Sequence, residues 1–96
     1  MSNCRIRVAG TKVFKARENV VSCDIDGGQA LLDLDKGQYY GLNSTASEVW
    51  KCISESMSFE AIIDHICSEF EVDRQRCADD VSSIIESFVN AGIVLS

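Results

Sequence analysis

The sequence predicts an α+β fold of the winged-helix-like type, in which an N-terminal three-stranded antiparallel sheet is followed by a three-helix bundle. Two observations predict it. The first half of the chain contains short β-branched runs separated by glycine turns, and the second half contains apolar residues at helical spacing. The 96 residues, of which 46% are apolar, suffice for one core but leave little volume for a deep cavity. This size favours a binding module over an enzyme.

Three strands are expected in the first half. The first, residues 20–25, is rich in β-branched residues, and the second covers residues 29–34. Glycine-containing turns at 26–28 and 35–37 follow these two strands, and a third strand covers residues 38–42. Tight turns between successive strands indicate an antiparallel meander.

Residues 1–19 precede this meander and contain two short alternating stretches, around 5–8 and 12–15. They predict an N-terminal extension with an irregular strand, in front of a domain that covers residues 20–96. The opening residues lack the apolar run of a secretion signal, and no run approaches the roughly 18 apolar residues of a membrane span. We therefore expect a cytoplasmic protein without a membrane partner.

The first two helices have recognisable starts. The first would run over about 45–54, because Thr45 and Glu48 have the spacing of a capping box. Ser58 is the expected N-cap of the second helix, which would run over about 59–70.

The third helix would begin after Asp73 and end at Gly92, a glycine suited to a left-handed C-cap. Three amphipathic helices need an apolar surface to pack on, so we expect them to lie against one face of the sheet. The apolar stripe of the third helix consists of Cys77, Val81, Ile84, Ile85, Phe88 and Val89.

The cysteines and the single histidine do not suggest a metal site. The chain has five cysteines, no Cys-x-x-Cys pair and only His65 as a further nitrogen ligand, whereas zinc usually takes four ligands in closely spaced pairs. Cys52, Cys67 and Cys77 fall in apolar helical stretches, where cysteine behaves as a small hydrophobe. We expect reduced thiols and no metal or other cofactor.

No arrangement of residues indicates catalysis. A dyad of His65 with Cys23 or Cys52 has no supporting motif, and the carboxylates of Asp33 and Asp35 lie next to a turn, where turn chemistry and solvation explain them. We expect no catalytic residues and no enzyme activity.

The charge distribution disfavours a DNA-binding winged helix, which is the remote alternative. Of the nine basic residues only three lie after Thr45, whereas ten of the fifteen acidic residues do. A recognition helix needs Lys and Arg against the phosphates, but the third helix has only Arg74 and Arg76, both at its start. We expect no nucleic-acid partner.

The third strand lies at an edge of the predicted sheet. Residues 38–42 contain no proline, lysine or glutamate that would block pairing, so an extended peptide could add there as a further strand. In the competing interpretation, Tyr40 and Leu42 are only core residues and residues 1–19 cover the edge. The residues themselves leave these two interpretations open.

Residues 28–46, GQALLDLDKGQYYGLNSTA, resemble the signature of PqqD-like proteins. That signature is a leucine-rich strand, a turn with glycine, a tyrosine-containing strand and then Leu-Asn-x-Thr/Ser. Residues 80–93 are similar to the third helix of that family and its closing Gly-Leu. The resemblance covers about residues 20–95, and residues 1–19 are longer than the family would lead us to expect.

The resemblance implies a RiPP precursor peptide recognition element, a non-catalytic domain that binds the leader segment of a ribosomally made precursor peptide. Such domains deliver the precursor to a modifying enzyme or a protease. In that family the leader adds as a strand to the edge of the third strand and lies between it and the third helix. Carried over to this sequence, the implied peptide-binding residues are Gln38, Tyr39, Tyr40, Gly41, Leu42, Cys77, Asp80, Val81, Ile84 and Phe88.

Within the family, the chain looks most similar to the stand-alone leader-binding proteins of lasso-peptide pathways, which work with a separate cysteine protease that removes the leader. The partners implied are therefore a precursor leader peptide and a separate leader peptidase. The alternative is a PqqD-type chaperone that presents a precursor peptide to a radical SAM enzyme.

Overall fold

The computed structural model describes residues 10–26 and 28–95. A three-stranded antiparallel sheet of order β2-β3-β4 is followed by three helices, and a small two-stranded sheet joins β1 to β5. The α+β class is confirmed, and winged-helix-like describes it loosely. The elements in chain order are β1 (Lys15–Ala16), β2 (Val20–Ile25), β3 (Gly28–Asp33), β4 (Gln38–Leu42), α1 (Ser44–Ser54), α2 (Phe59–Phe70), α3 (Arg74–Ala91) and β5 (Val94–Leu95).

The N-terminal segment packs on the helices and the C-terminus. β1 pairs antiparallel with β5, Val13 forms an isolated bridge to Ser58, and Phe14 is buried in the core. The irregular strand expected around 12–15 is therefore present, while the stretch around 5–8 lies outside the described residues. Because Phe14 is a core residue, the described part of the extension belongs to the same body as the sheet and helices.

The helix ends follow the local sequence signals, with one exception. Ser58 caps α2, Asp73 caps α3, and Gly92 ends α3 in a left-handed conformation, as predicted. The capping box at Thr45 is wrong, because the side chain of Asn43 accepts the N–H of Ala46 at 2.8 Å. The extended backbone ends at Asn43, so Thr45 already lies inside the helix.

The core lies between the helices and the sheet face that carries Leu31 and Leu42, as expected from the helical stripes. The rings of Trp50 in α1 and Phe88 in α3 meet edge to face, with centroids 5.8 Å apart. Leu31 is fully buried, so the sheet contributes its central strand to this core.

Asp33 is a buried carboxylate at the end of β3. Its Oδ1 accepts the N–H groups of Asp35 and Lys36 at 3.0 and 3.2 Å, and its Oδ2 lies 3.7 Å from the guanidinium of Arg17. The turn role expected for Asp33 is thus observed, although its side chain is shielded from solvent. Arg17 also donates to the carbonyl of Gly92 at 3.1 Å, which ties the N-terminal segment to both the turn and the end of α3.

Candidate functional site

The edge of β4 that points away from β3 is open within the described ranges. β4 pairs with β3 on one side, and no strand within residues 10–26 or 28–95 pairs with its other side. The extension instead directs β1 to β5. Residues 10–19 therefore do not cover the edge, which removes that part of the competing interpretation.

The phase of the backbone hydrogen bonds follows from the two ends of β3. The N–H of Leu34 donates to the carbonyl of Asn19 at 2.8 Å, so the backbone groups of Leu34 point towards β2. Backbone groups alternate in direction along a strand, so those of Asp33 and Leu31 point towards β4. The carbonyl of Asp33 accepts the N–H of Gly37 at 2.7 Å, on the side expected from this phase.

The same phase decides which groups of β4 face the open edge. Asp33 and Leu31 are the register partners of Gln38 and Tyr40, so these two residues exchange their hydrogen bonds with β3. The N–H and C=O groups of the alternate residues, Tyr39 and Gly41, then point outwards. β4 thus presents a row of donors and acceptors without a strand partner in the described part of the chain.

The side chains of β4 lie on two faces. Tyr40 is half-buried on the helix side, where its hydroxyl donates to Gln38 Oε1 at 2.8 Å and lies 3.5 Å from the carbonyl oxygen of Ala91. Lys36 donates to the same carbonyl at 3.3 Å. Tyr39 lies on the opposite face and is 72% exposed. The β3–β4 hairpin is therefore joined to the C-terminal end of α3 through Tyr40 and Lys36.

The residues implied on α3 divide into core and surface. Cys77 and Val81 have no solvent exposure and Phe88 is buried, so these three side chains fill the core. Ile84 is half-buried and Asp80 is exposed, and these two reach solvent. Among the β4 residues, the side chain of Leu42 is also buried in the core, whereas Gln38 and Gly41 are exposed.

The thiols and the histidine are poorly arranged for chemistry. Burial, with a contribution from the nearby carboxylates of Glu48 and Glu55, raises the pKa of Cys52 to about 11. Burial likewise raises the pKa of Cys77. His65 Nε2 lies 3.0 Å from Glu48 Oε1, so its partner is a carboxylate and not a thiol. Thiols of this kind are poor nucleophiles at neutral pH.

Two global features complete the description of the surface. In the described ranges no three His, Cys, Asp or Glu side chains are placed to hold a metal ion together. No helix in those ranges is both long and apolar enough to cross a bilayer.

Sequence reasoning did not identify the residues that join the hairpin to α3. Lys36 and Ala91 are 55 positions apart, and their contact depends on how the hairpin lies over the helix. Nothing in the local pattern around either residue indicates it. The outward direction of Gly41 and Tyr39, by contrast, follows from strand alternation once one hydrogen bond of the sheet is known.

Comparisons with known proteins agree with this architecture. The family model described as Coenzyme PQQ synthesis protein D (PqqD) matches residues 28–94. The solved structure of TbiB1 in complex with the TbiA(beta) leader peptide is 34% identical with a TM-score of 0.78, over 83% of this chain and 93% of that chain. Lasso peptide synthetase B1 complexed with the leader peptide is 27% identical with a TM-score of 0.80, over 88% of this chain and all of that one, 100%. A comparison with curated proteins finds no match. The chain therefore belongs to the PqqD family, as a PqqD-like RiPP recognition element.

Proposed function

We propose that this chain binds the leader segment of a ribosomally made precursor peptide as an added strand on the open edge of β4. The observation that carries this proposal is the outward direction of the N–H and C=O groups of Tyr39 and Gly41 on a strand edge that residues 10–26 and 28–95 leave unpaired. Strand addition obtains its affinity from main-chain groups of this kind. Both solved relatives are complexes with a leader peptide, which supports the same class of ligand here.

The side chains next to this edge supply selectivity. An added strand directs alternate side chains towards the helix side, where Tyr40 and Ile84 are half-buried and have apolar surface left to cover. The carboxylate of Asp80 is exposed on α3. We therefore expect the leader to carry apolar residues at alternate positions, with basic residues that Asp80 attracts.

We further propose that the chain is not an enzyme and delivers the bound precursor to a separate processing enzyme, in the first place a leader peptidase. The raised thiol pKa values and the pairing of His65 with Glu48 support a non-catalytic role. The 34% identity to a leader-binding protein favours the lasso-type pathway over presentation to a radical SAM enzyme. A cysteine protease and an ATP-dependent macrocyclase encoded beside the gene would agree with this choice, whereas a radical SAM enzyme would favour the alternative.

Direct titration tests leader binding. The full chain is titrated into the fluorescently labelled leader peptide encoded beside its gene, and the anisotropy is recorded. We expect saturable binding with a Kd of about 1 µM or below, and a scrambled peptide of the same composition should bind at least about tenfold more weakly. Equal affinity for both peptides, or no saturation, would contradict the proposal.

Cleavage assays test delivery. The leader peptidase encoded beside the gene is mixed with its precursor, with and without this chain. We expect faster cleavage in the presence of the chain and no cleavage by the chain alone. An unchanged rate together with normal leader binding would remove the delivery step and keep the binding function.

A further inference from the structure

The sheet face turned away from the helices carries only apolar or small residues. Strand alternation and register place three large members of this face in one row, where Val21 opposes Leu32 and Leu32 opposes Tyr39. The next row consists of small residues. We call this surface the outer face, and its members are Val21, Cys23, Ile25, Gly28, Ala30, Leu32, Tyr39 and Gly41.

The large side chains of the outer face are exposed to solvent. Tyr39 is 72% exposed, Ile25 50% and Val21 47%, and in the described part of the chain no member of the outer face belongs to the core cluster. A solvated sheet face normally alternates to polar residues, whereas these strands place apolar residues at every outer position. A contiguous exposed apolar patch of this kind marks an interaction surface.

The size and charge of the outer face argue against a second copy as its occupant. Three strands of about five residues cover roughly 14 by 17 Å, or about 240 Å². A stable complex usually buries about 800 Å² on each partner, so this face is too small to hold a dimer together alone. A second copy would also bring the same net charge of −6.

Continuity with the leader-binding edge points to a different occupant. Tyr39 contributes its side chain to the outer face and its backbone groups to the open edge of β4. A leader added to β4 would widen the outer face by one strand and place alternate side chains beside Tyr39. A protein on this surface would then contact the chain and the bound leader together.

We propose that the outer face is the docking surface for the enzyme that processes the leader-bound precursor, an inference that rests on the proposed function. The enzyme would present an apolar patch to Val21, Leu32 and Tyr39. The acidic side chains of Asp24 and Asp26 are exposed at the β2–β3 end of the sheet, so basic groups at the rim of that patch would fit them. Joint contact with chain and leader would favour docking on the loaded chain.

The test compares two exposed apolar residues on different surfaces. Val21→Lys places a charge in the outer face, and Leu95→Lys places one on β5, where Leu95 is 52% exposed. Leader affinity is measured by fluorescence anisotropy, and binding of the leader peptidase encoded beside the gene to the leader-loaded chain by calorimetry. Val21→Thr serves as a milder variant that keeps a β-branched residue in the strand.

We expect Val21→Lys to weaken peptidase binding by about tenfold or more while leader affinity stays within about twofold, and Leu95→Lys to change neither. Equal peptidase binding by the wild type and both Val21 variants, or no peptidase binding to the wild type, would overturn the proposal. A wild-type dimer in light scattering that Val21→Lys dissociates would also overturn it, because the face would then belong to a second copy. Loss of leader binding by the wild type would instead contradict the proposed function, since leader affinity is measured separately.

Discussion

The N–H of Leu34 donates to the carbonyl oxygen of Asn19 at 2.8 Å, and this bond defines the hydrogen-bonding phase of the sheet. Alternation along the strands then directs the backbone groups of Tyr39 and Gly41 to the open edge of β4. By the same alternation, the groups of Ser22 point out at the opposite edge, on β2. The sheet therefore offers two outward rows of backbone groups, and only the row on β4 lies next to Tyr40, which reaches the end of α3.

Proline substitutions separate these two edges. Gly41→Pro removes an outward donor from β4, so we expect leader affinity to fall by about fivefold to tenfold, the effect of a lost backbone hydrogen bond with some local distortion. Ser22→Pro removes an equivalent donor from β2 and should leave the affinity unchanged. Anisotropy titrations give both values, and thermal unfolding shows that each variant is folded. Tight leader binding by Gly41→Pro would contradict strand addition on β4.

Charge reversal tests the role of the acidic surface of α3. Asp80→Lys should slow leader association a few-fold and reduce its dependence on salt, because an exposed charge near a binding site acts mainly on the association rate. Glu69→Lys makes the same change in net charge on α2 and is the matched control. Stopped-flow measurements at two salt concentrations give the rates. Equal effects of the two variants would show that only net charge matters.

The ion pairs of Arg17 and Arg74 should differ in their effect on stability. Arg17→Ala leaves the buried carboxylate of Asp33 without its cation and removes the bond to Gly92, so we expect the free energy of unfolding to fall by about 1–3 kcal/mol. Arg74→Ala removes an exposed pair with Asp64 and should change stability little. Denaturant unfolding gives both values. Similar losses for the two variants would show that burial of Asp33 is not what makes Arg17 important.

The pKa of Cys52 makes stability depend on pH in the alkaline range. Burial is the main cause that raises this pKa from 9.0 to about 11. Between these two values the unfolded chain loses the Cys52 proton and the folded chain keeps it, so the free energy of unfolding falls as pH rises. Below pH 9 both states keep the proton, and this group has no effect.

A comparison of the wild type with Cys52→Ala isolates that contribution. Urea unfolding at pH 8, 9 and 10 should show a steeper loss of stability for the wild type, since other groups titrate equally in both proteins. Parallel losses over this range would mean that the folded state does not hold the Cys52 proton more tightly than the unfolded chain.

Local signals in the sequence predicted most of the secondary structure. Ser58, Asp73 and Gly92 were identified correctly because a cap depends on a few neighbouring residues. Thr45 was wrong because the helix start depends on where the extended backbone of β4 ends, and it ends at Asn43. A capping residue is thus predictable only when the preceding element is correctly bounded.

The site depended on contacts that local patterns do not carry. Whether the edge of β4 is open depends on the path of residues 10–19, and the pairing of Ala16 with Val94 joins opposite ends of the chain. The apolar stripe of α3 indicated Cys77 and Ile84 equally, although the first is fully buried and the second reaches solvent. Helical spacing defines a face but does not divide it between core and surface.

Amide hydrogen exchange of the chain with and without the leader tests strand addition most directly. The measurement follows individual backbone N–H groups by NMR, with the leader at saturating concentration. The structure predicts that exchange at Tyr39 and Gly41 slows by at least about tenfold on binding, because their outward N–H groups gain acceptors, while exchange at Ser22 does not change. Unchanged exchange at Tyr39 and Gly41, or slowing at Ser22 instead, would contradict strand addition at the edge of β4.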